Sequence, residues 1–111
     1  GIGLTPSADD VLCGMTYTLL HGARKLTAAD VEFVNAVRRY APERTNLISA
    51  AILKAVTDGG RFEMMDNVLR GLTGAGEDGA QRLLTIGSSS GSEMLLGITI
   101  AAKLIHGRGQ L

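Results

Sequence analysis

The sequence has very little with which to build a cross-linked or aromatic core. It contains one cysteine, Cys13, no tryptophan, two tyrosines and two phenylalanines in 111 residues. A single cysteine excludes an internal disulfide framework and is typical of a protein from a reducing cytoplasm. The core is therefore expected to consist of leucine, isoleucine, valine, alanine and methionine.

The chain also lacks an excess of charge of either sign, with 11 basic and 11 acidic side chains. It has no basic stripe or acidic tail that would indicate a nucleic acid or a strongly charged partner. Its apolar runs are interrupted within about ten residues, whereas a membrane-spanning helix needs roughly 20, and no secretory signal is present. These features predict a cytoplasmic protein that binds neither nucleic acid nor membranes. Its abrupt start inside a glycine-rich loop predicts a fragment of a longer protein.

What the sequence does contain is helical periodicity along its length, without a convincing run of period-two alternation. The length fits one domain. The predicted fold class is therefore all-α, a single compact bundle of about six helices with glycine-rich loops. The helices are predicted at about 9–20, 28–41, 44–57, 62–72, 77–86 and 90–105.

Individual residues predict where these helices begin and end and which faces they bury. Thr27 and Asp30 have the spacing of a capping box at the start of the second helix, and Pro42 is expected to end it. Gly59 and Gly60 are expected to end the third helix. The side chains expected to face the core are Val11, Leu12, Met15 and Leu19 in the first helix, Val31, Val34 and Val37 in the second, Leu47, Ile48, Ala51, Ile52 and Ala55 in the third, and Phe62, Met65, Val68, Leu69 and Leu72 in the fourth.

Two stretches near opposite ends of the chain follow one pattern. SADDVLCG, from Ser7, and SGSEMLLG, from Ser90, both read Ser-x-x-acid-x-Leu-x-Gly. Such serines and acids are typical of capping boxes, which need no ligand. The alternative is an anion site, because glycine and hydroxyl residues before a helix N-terminus offer donors to a phosphate or carboxylate. The candidate ligand-binding residues are Gly3, Thr5, Ser7, Asp9, Asp10, Ser88, Ser89, Ser90 and Glu93.

A glycine occurs at the same offset inside each of these two helices, at Gly14 and Gly97. An interior glycine costs about 1 kcal/mol relative to alanine, so a matched pair calls for a reason. We expect the first and last helices to cross closely at these glycines, which would place the two N-terminal loops over one shared pocket. The alternative is an accidental pair of small residues in a chain with 15 glycines.

The other chemistry-bearing residues indicate neither a metal nor a cofactor. Asp9 and Asp10 either complement the helix dipole or, for Asp9, turn toward the loop pocket to bind a cation or an amide N–H₂ group. No His-x-x-x-His or Glu-x-x-His pattern is present, so no zinc or iron centre is expected. His21 and His106 are predicted to stabilise helix C-termini, with general-base work as the alternative, and Cys13 is predicted to be a core residue.

Residues 3–10, GLTPSADD, closely resemble the Gly-Leu-Thr-Pro-Ser-Gly-Asp-Asp signature of AllH-type proteins, with Ala8 in place of the usual glycine. Residues 87–97 match the second signature of that family more loosely, Gly-His-Ser-Ser-Gly-x-Asp followed by Leu-x-Gly. Ser88 stands in the position of the histidine and Glu93 in that of the aspartate, so an imidazole role at that position is not carried over. Members of the family are longer, and the resemblance implies that this chain is the C-terminal helical portion.

The resemblance implies a bacterial subunit of the oxamate carbamoyltransferase of allantoin and purine catabolism, acting with FdrA-like and AllG-like subunits. That reaction transfers a carbamoyl group between oxalurate and phosphate, giving oxamate and carbamoyl phosphate. Small anionic ligands of this kind suit hydroxyl-rich helix N-termini. Two hypotheses remain open: an enzyme subunit with an anion site at the two loops, and a non-catalytic helical interaction module whose partner holds the active site.

Overall fold

The computed structural model describes residues 6–44, 47–72 and 90–109, with side chains described for 8–42, 50–71 and 93–109. These residues form five α-helices and no strand, so the all-α class is confirmed for the described ranges. The helices are α1 (Pro6–Gly22), α2 (Ala28–Arg44), α3 (Leu47–Thr57), α4 (Glu63–Leu72) and α5 (Ser90–Gly107). The helix predicted at about 77–86 lies outside the described residues.

The first helix, α1, is the centre of the fold and packs against the other four described helices. Its buried residues therefore surround most of the helix and do not form one stripe: Asp9, Cys13, Gly14, Thr16, Tyr17, Thr18 and Leu19. The predicted apolar face is confirmed in part: Leu19 is buried, and Leu12 and Met15 are half-buried and pack against the core clusters, while Val11 is only half-buried. A one-sided stripe is typical of a surface helix, and a helix with neighbours on most sides loses it.

The helix boundaries follow most of the local signals in the sequence. The Thr27 N–H donates to Asp30 Oδ2 (2.9 Å) and the Asp30 N–H donates to Thr27 Oγ1 (3.1 Å), which confirms the capping box. The end of α3 at Gly59 is also confirmed, since that glycine has a φ of 91°. The predicted end at Pro42 was wrong, because α2 continues to Arg44. Pro42 lies in the last turn, where a missing N–H removes only one helical hydrogen bond.

The buried faces of α2 and α3 differ in part from those expected. In α2, Val34 and Val37 are buried, but Val31 is 45% exposed. In α3 the buried side chains are Leu53 and Val56, whereas Ala51 is exposed. The predicted face of α3 is therefore confirmed only in part, since Ile52 packs against the core cluster and Ala51 does not. This helix is apolar nearly all round, so its spacing fits either face. Ile52 and Ala55 are half-buried, and the Leu47 and Ile48 side chains lie outside the described residues.

The fourth helix buries Met65, Val68 and Leu69 as expected. Phe62, expected to face the core, is instead 37% exposed and lies just before α4. Its backbone is held by Tyr17, whose hydroxyl accepts the Phe62 N–H at 2.8 Å. The side chain of Leu72 lies outside the described residues.

The closest approach between helices joins α1 to α5 at two glycines. A Cβ added at Gly14 would overlap the Met94 carbonyl oxygen and lie 3.0 Å from the Ile98 nitrogen. A Cβ added at Gly97 would overlap the Val11 carbonyl oxygen and lie 3.0 Å from the Met15 nitrogen. Each glycine therefore lies against two backbone positions near the other glycine: the third residue before it and the residue directly after it. The two helix backbones thus pack against each other with local two-fold symmetry.

The two crossing helices run in the same direction. Gly14 lies against residues 94–98, and Gly22, further along α1, lies beside the Ile105 side chain, further along α5. Leu19, Ala101 and Ile105 form a buried cluster between these positions. The N-termini of α1 and α5 consequently lie at the same end of the pair, each roughly 10–12 Å from the crossing at about 1.5 Å per residue.

Arg108, just after α5, joins the end of the fold to the start of α2. Its guanidinium donates to both carboxylate oxygens of Asp30, at 3.2 and 3.0 Å, and lies 3.4 Å from Thr27 Oγ1. Burial alone would raise the pKa of Asp30, but the hydrogen bonds from Arg108 and Thr27 outweigh it and hold the pKa below its usual value. The carboxylate therefore stabilises the fold in its charged form.

Replacing Asp30 by asparagine is expected to lower the free energy of unfolding by about 2 kcal/mol at pH 7, because a nearly buried, charge-assisted pair is lost. The folded pKa of Asp30 lies below the unfolded value of about 3.9, so this contribution is complete above that value. It is lost as the pH falls through the lowered folded pKa. Urea unfolding at pH 7 and at about pH 2.5 would measure the difference. The exposed Glu32→Gln variant is the control, and an Asp30→Asn difference that persists in acid would contradict the assignment.

Candidate functional site

The candidate ligand residues fall into two groups according to what the structure describes. Asp9, Asp10 and Glu93 have described side chains; Asp9 and Glu93 lie in the first turns of α1 and α5, and Asp10 follows Asp9 in α1. For Ser7 and Ser90 the helical backbone is described and the side chains are not. Gly3, Thr5, Ser88 and Ser89 lie outside the described residues, as do the two loops that contain them.

The two helices begin at or close to the serines of the motifs. Helix α1 begins at Pro6, a residue well suited to the first helical position because its missing N–H needs no partner there. Ser7 therefore lies inside the first turn, and the residue before the helix is Thr5. Helix α5 begins at Ser90, so the residue before it is Ser89. The side chains that would cap the two helices lie outside the described residues, so the capping roles of Ser7 and Ser90 stay predictions.

The parallel arrangement of α1 and α5 gives this end of the fold a distinct electrostatic character. The first turn of each helix has backbone N–H groups without intrahelical acceptors and carries the positive end of the helix dipole. When two helix N-termini lie at the same end of a helix pair, their positive electrostatic potentials add. An anion or a carboxylate close to both N-termini is therefore stabilised by both helices.

Asp9 is the buried acid at this end, with 2% of its surface exposed. The Tyr40 hydroxyl, from α2, donates to Asp9 Oδ1 at 3.1 Å. This hydrogen bond from a neighbouring helix holds the carboxylate in place. Asp9 is therefore not a solvent-exposed acid that only complements the helix dipole. Sequence reasoning missed Tyr40 because this residue near the end of α2 belongs to no recognisable motif. Only the packing of the two helices brings it to Asp9.

The other two acids, Asp10 near the start of α1 and Glu93 in the first turn of α5, are half-buried. Burial is the main cause that raises the pKa of the Cys13 thiol to about 12, and the charge of Asp10 adds to it. Cys13 is 2% exposed and belongs to the core cluster, which confirms its predicted place. A thiol with a pKa this high stays protonated at neutral pH and is a poor nucleophile.

We expect Cys13 to react with a thiol reagent such as 5,5′-dithiobis(2-nitrobenzoate) at least about 100-fold more slowly in the folded protein at pH 8 than in urea. Burial and the raised pKa both disfavour the thiolate in the folded state, and unfolding restores an ordinary pKa of about 8.5. Absorbance of the released thiolate measures both rates. A native rate close to the unfolded rate would show that Cys13 is accessible.

A second polar cluster, centred on Tyr17, was also missed by sequence reasoning. The Tyr17 hydroxyl donates to Asp66 Oδ1 at 2.6 Å while it accepts the Phe62 N–H, and Arg61 lies 3.7 Å from the same carboxylate oxygen. His21 Nε2 lies 3.1 Å from the Gly60 carbonyl oxygen, and its ring centroid lies 4.6 Å from that of Tyr17. His21 is in the last turn of α1 as predicted, but its described partner belongs to the α3–α4 connection.

The Tyr17 cluster ties α1 to the α3–α4 connection and to α4. Burial first, and then the hydrogen bond to Asp66, raise the pKa of Tyr17 to about 12. The hydroxyl therefore keeps its proton and remains a donor to Asp66 at neutral pH. These hydrogen bonds have a structural role, since they hold α1 against α4 and the α3–α4 connection.

The described residues hold no group of three or more His, Cys, Asp or Glu side chains placed to bind a metal ion. Within the same ranges, none of the helices combines the length and apolar character needed to cross a membrane.

Comparison with known proteins identifies the family. The sequence profile of the family described as oxamate carbamoyltransferase subunit AllH matches residues 1–102, nearly the whole chain. The chain belongs to the AllH family. The match includes both motif stretches, the two crossing glycines and Tyr40, while Arg108 follows its last residue. At family level AllH is a subunit of a carbamoyltransferase, and a subunit implies partner subunits. No solved structure matches the chain.

Proposed function

We propose that this chain contributes an anion-binding site to an oxamate carbamoyltransferase, formed where the N-termini of α1 and α5 lie at one end of a parallel helix pair. The observation that carries the proposal is the parallel crossing at Gly14 and Gly97, which brings two positive helix ends to the same side. The AllH family, described as an oxamate carbamoyltransferase subunit, supports the proposal. The proposed reaction is the one that the motif resemblance implies, in which oxalurate and phosphate give oxamate and carbamoyl phosphate.

Asp9 has a distinct role in this proposal. A buried carboxylate opposes the binding of a phosphate, but it accepts hydrogen bonds from an amide N–H₂ group. Oxamate, oxalurate and carbamoyl phosphate each carry both an anionic group and an amide. The helix N-termini and the hydroxyl residues Thr5, Ser7, Ser88, Ser89 and Ser90 bind the anionic group, and Asp9, held by Tyr40, orients the amide.

Ligand titrations of wild type and Asp9→Asn test this division of roles. We expect wild type to bind phosphate, carbamoyl phosphate and oxamate, as measured by calorimetry or by amide chemical shifts in α1 and α5. Loss of the negative charge should leave phosphate binding equal or tighter and should weaken oxamate binding by about tenfold, because the amide loses a charged acceptor.

The exposed Glu32→Gln variant, which also removes one negative charge, is the matched control. Circular dichroism of each variant verifies the fold. The proposal fails if none of the three ligands binds to wild type at about 10 mM. It also fails if Asp9→Asn and Glu32→Gln have the same effect on the ratio of the oxamate and phosphate affinities.

A second candidate function, a helical interaction module, is favoured by one specific observation. Leu96, Ile100 and Leu104 are 49%, 42% and 52% exposed and follow one another at every fourth position of α5. Such a stripe suits packing against a partner subunit, and the family resemblance names FdrA-like and AllG-like proteins as the partners. Ile100→Glu should abolish copurification with such a subunit if this surface is the interface, while Lys103→Glu, on the same helix, should have a smaller effect.

A further inference from the structure

A cavity of about 380 Å³ lies between α2 and α3, on residues that neither candidate function uses. Its lining is mostly apolar, and the described residues in it are Arg38, Ala41, Pro42, Ala50, Ala51 and Lys54. A volume of this size is within the range of pockets that hold small organic ligands.

The cavity exists because the two helices face each other here with small side chains. Ala41 on α2 and Ala50 and Ala51 on α3 leave space that a larger apolar residue would fill. The large apolar residues of α3, Leu53 and Val56, are buried in the main core cluster instead. The pocket is therefore open to a ligand without displacing core side chains.

The described charged groups beside the cavity are two cations and one carboxylate. Lys54 Nζ lies 2.9 Å from Asp58 Oδ2, and Arg38 Nη2 lies 3.7 Å from Asp58 Oδ1. The guanidinium of Arg38 also donates to the Thr57 carbonyl oxygen. Among the described side chains, two cations thus share one carboxylate, so these three groups together carry one net positive charge beside the apolar pocket.

We propose that this cavity binds a small monocarboxylate with an apolar body, its carboxylate at Arg38 and Lys54 and its hydrocarbon portion between the alanines of α2 and α3. Charge complementarity selects a single negative charge, and the apolar lining selects a hydrocarbon portion. Oxamate, oxalurate and carbamoyl phosphate lack such a portion. The inference is consequently independent of the anion site at the helix N-termini.

Titration of the full chain with octanoate, followed by amide chemical shifts, tests the proposal. We expect saturable binding with a dissociation constant on the order of 1 mM, with the largest shifts in residues 38–42 and 50–54. The uncharged analogue 1-octanol should bind about fivefold or more weakly, since it lacks the charge that Arg38 and Lys54 recognise.

Two pairs of variants separate the pocket from general apolar or ionic binding. Ala51→Leu, which fills the pocket from an exposed position, should weaken octanoate binding at least about tenfold, whereas Ala36→Leu, on the outer face of α2, should leave it unchanged. Lys54→Gln should weaken it about fivefold, and the exposed Lys25→Gln should not. Circular dichroism establishes that each variant is folded.

The outcomes that would overturn the proposal are distinct. Octanoate that does not saturate at about 10 mM, or that binds Ala51→Leu as it binds wild type, would exclude the cavity. Equal affinities for octanoate and octanol would exclude recognition of the carboxylate. Shifts confined to residues 96–104 would place the ligand on the exposed stripe of α5 instead.

Discussion

Replacing Gly14 by alanine is expected to lower the free energy of unfolding by about 3 kcal/mol or more, a large share of the roughly 5–15 kcal/mol available to a small domain. The added methyl group would overlap the Met94 carbonyl oxygen, and the Ile98 nitrogen would lie 3.0 Å away. Because both neighbours are backbone atoms of a helix, a rotamer change cannot relieve the overlap, and α1 and α5 would have to move apart. Urea unfolding followed by circular dichroism at 222 nm would measure the loss.

Gly97→Ala should behave in the same way, since its methyl group would overlap the Val11 carbonyl oxygen. The double variant should lose less than the sum of the two single losses, because the first substitution already separates the helices at the shared crossing. Gly107→Ala is the control, since a Cβ at that position meets nothing within 4 Å. Gly107→Ala should be neutral or slightly stabilising. A loss below about 1 kcal/mol for Gly14→Ala would show that the helices separate more easily than this contact implies.

Replacing Tyr17 by phenylalanine is expected to lower the free energy of unfolding by about 2–4 kcal/mol, with little change in packing volume. The substitution removes the donor to Asp66 and leaves the Phe62 N–H without the acceptor that Tyr17 provides. Tyr17 itself is fully buried, so its aromatic ring remains in the core in the variant. Urea unfolding would measure the total loss.

A double-mutant cycle with Asp66→Asn would isolate the contact between these two side chains. A coupling energy of about 1–2 kcal/mol is expected for a short hydrogen bond to a carboxylate. Hydrogen exchange provides a second measurement, because the Phe62 amide should exchange faster in Tyr17→Phe than in wild type. A Tyr17→Phe variant that retains both wild-type stability and slow exchange at Phe62 would show that the Tyr17 hydrogen bonds do not stabilise the fold.

The crossing of α1 and α5 links the stability of the fold to its proposed function. The same contact between glycines that brings the helix backbones together also fixes how the two N-termini lie relative to each other. A substitution that separates the helices would therefore weaken anion binding together with stability. Asp9→Asn is expected to change the ligand preference of the proposed site without altering the crossing. The two kinds of variant thus distinguish assembly of the site from recognition of the ligand.

The sequence predicted those features that depend on a few neighbouring residues. The Thr27–Asp30 capping box and the end of α3 before Gly59 follow from hydrogen bonds within one turn and from a backbone conformation that favours glycine. The all-α class follows from periodicity, and the AllH resemblance follows from the motif beginning at Gly3. Each of these is a property of a short segment, whatever it packs against.

The faces of the helices were harder to predict because they depend on how many neighbours each helix has. Val31 and Phe62 are apolar but partly exposed to solvent, while Thr16 and Thr18 on the central helix are fully buried. Pro42 also failed as a stop signal, since Ala41 before it is packed in the core and the helix continues for two residues. Periodicity cannot distinguish a central helix from a peripheral one when both are rich in apolar residues.

The sequence by itself determined the helical class, several helix ends and the family. Only the tertiary structure decided that α1 and α5 run parallel, that Tyr40 holds Asp9 and that Tyr17 ties α1 to Asp66. Tyr40 lies 31 residues along the chain from Asp9, and Asp66 lies 49 residues from Tyr17. Such contacts leave no periodic signal, because they arise from the geometry of packed helices and not from the spacing of residues within one helix.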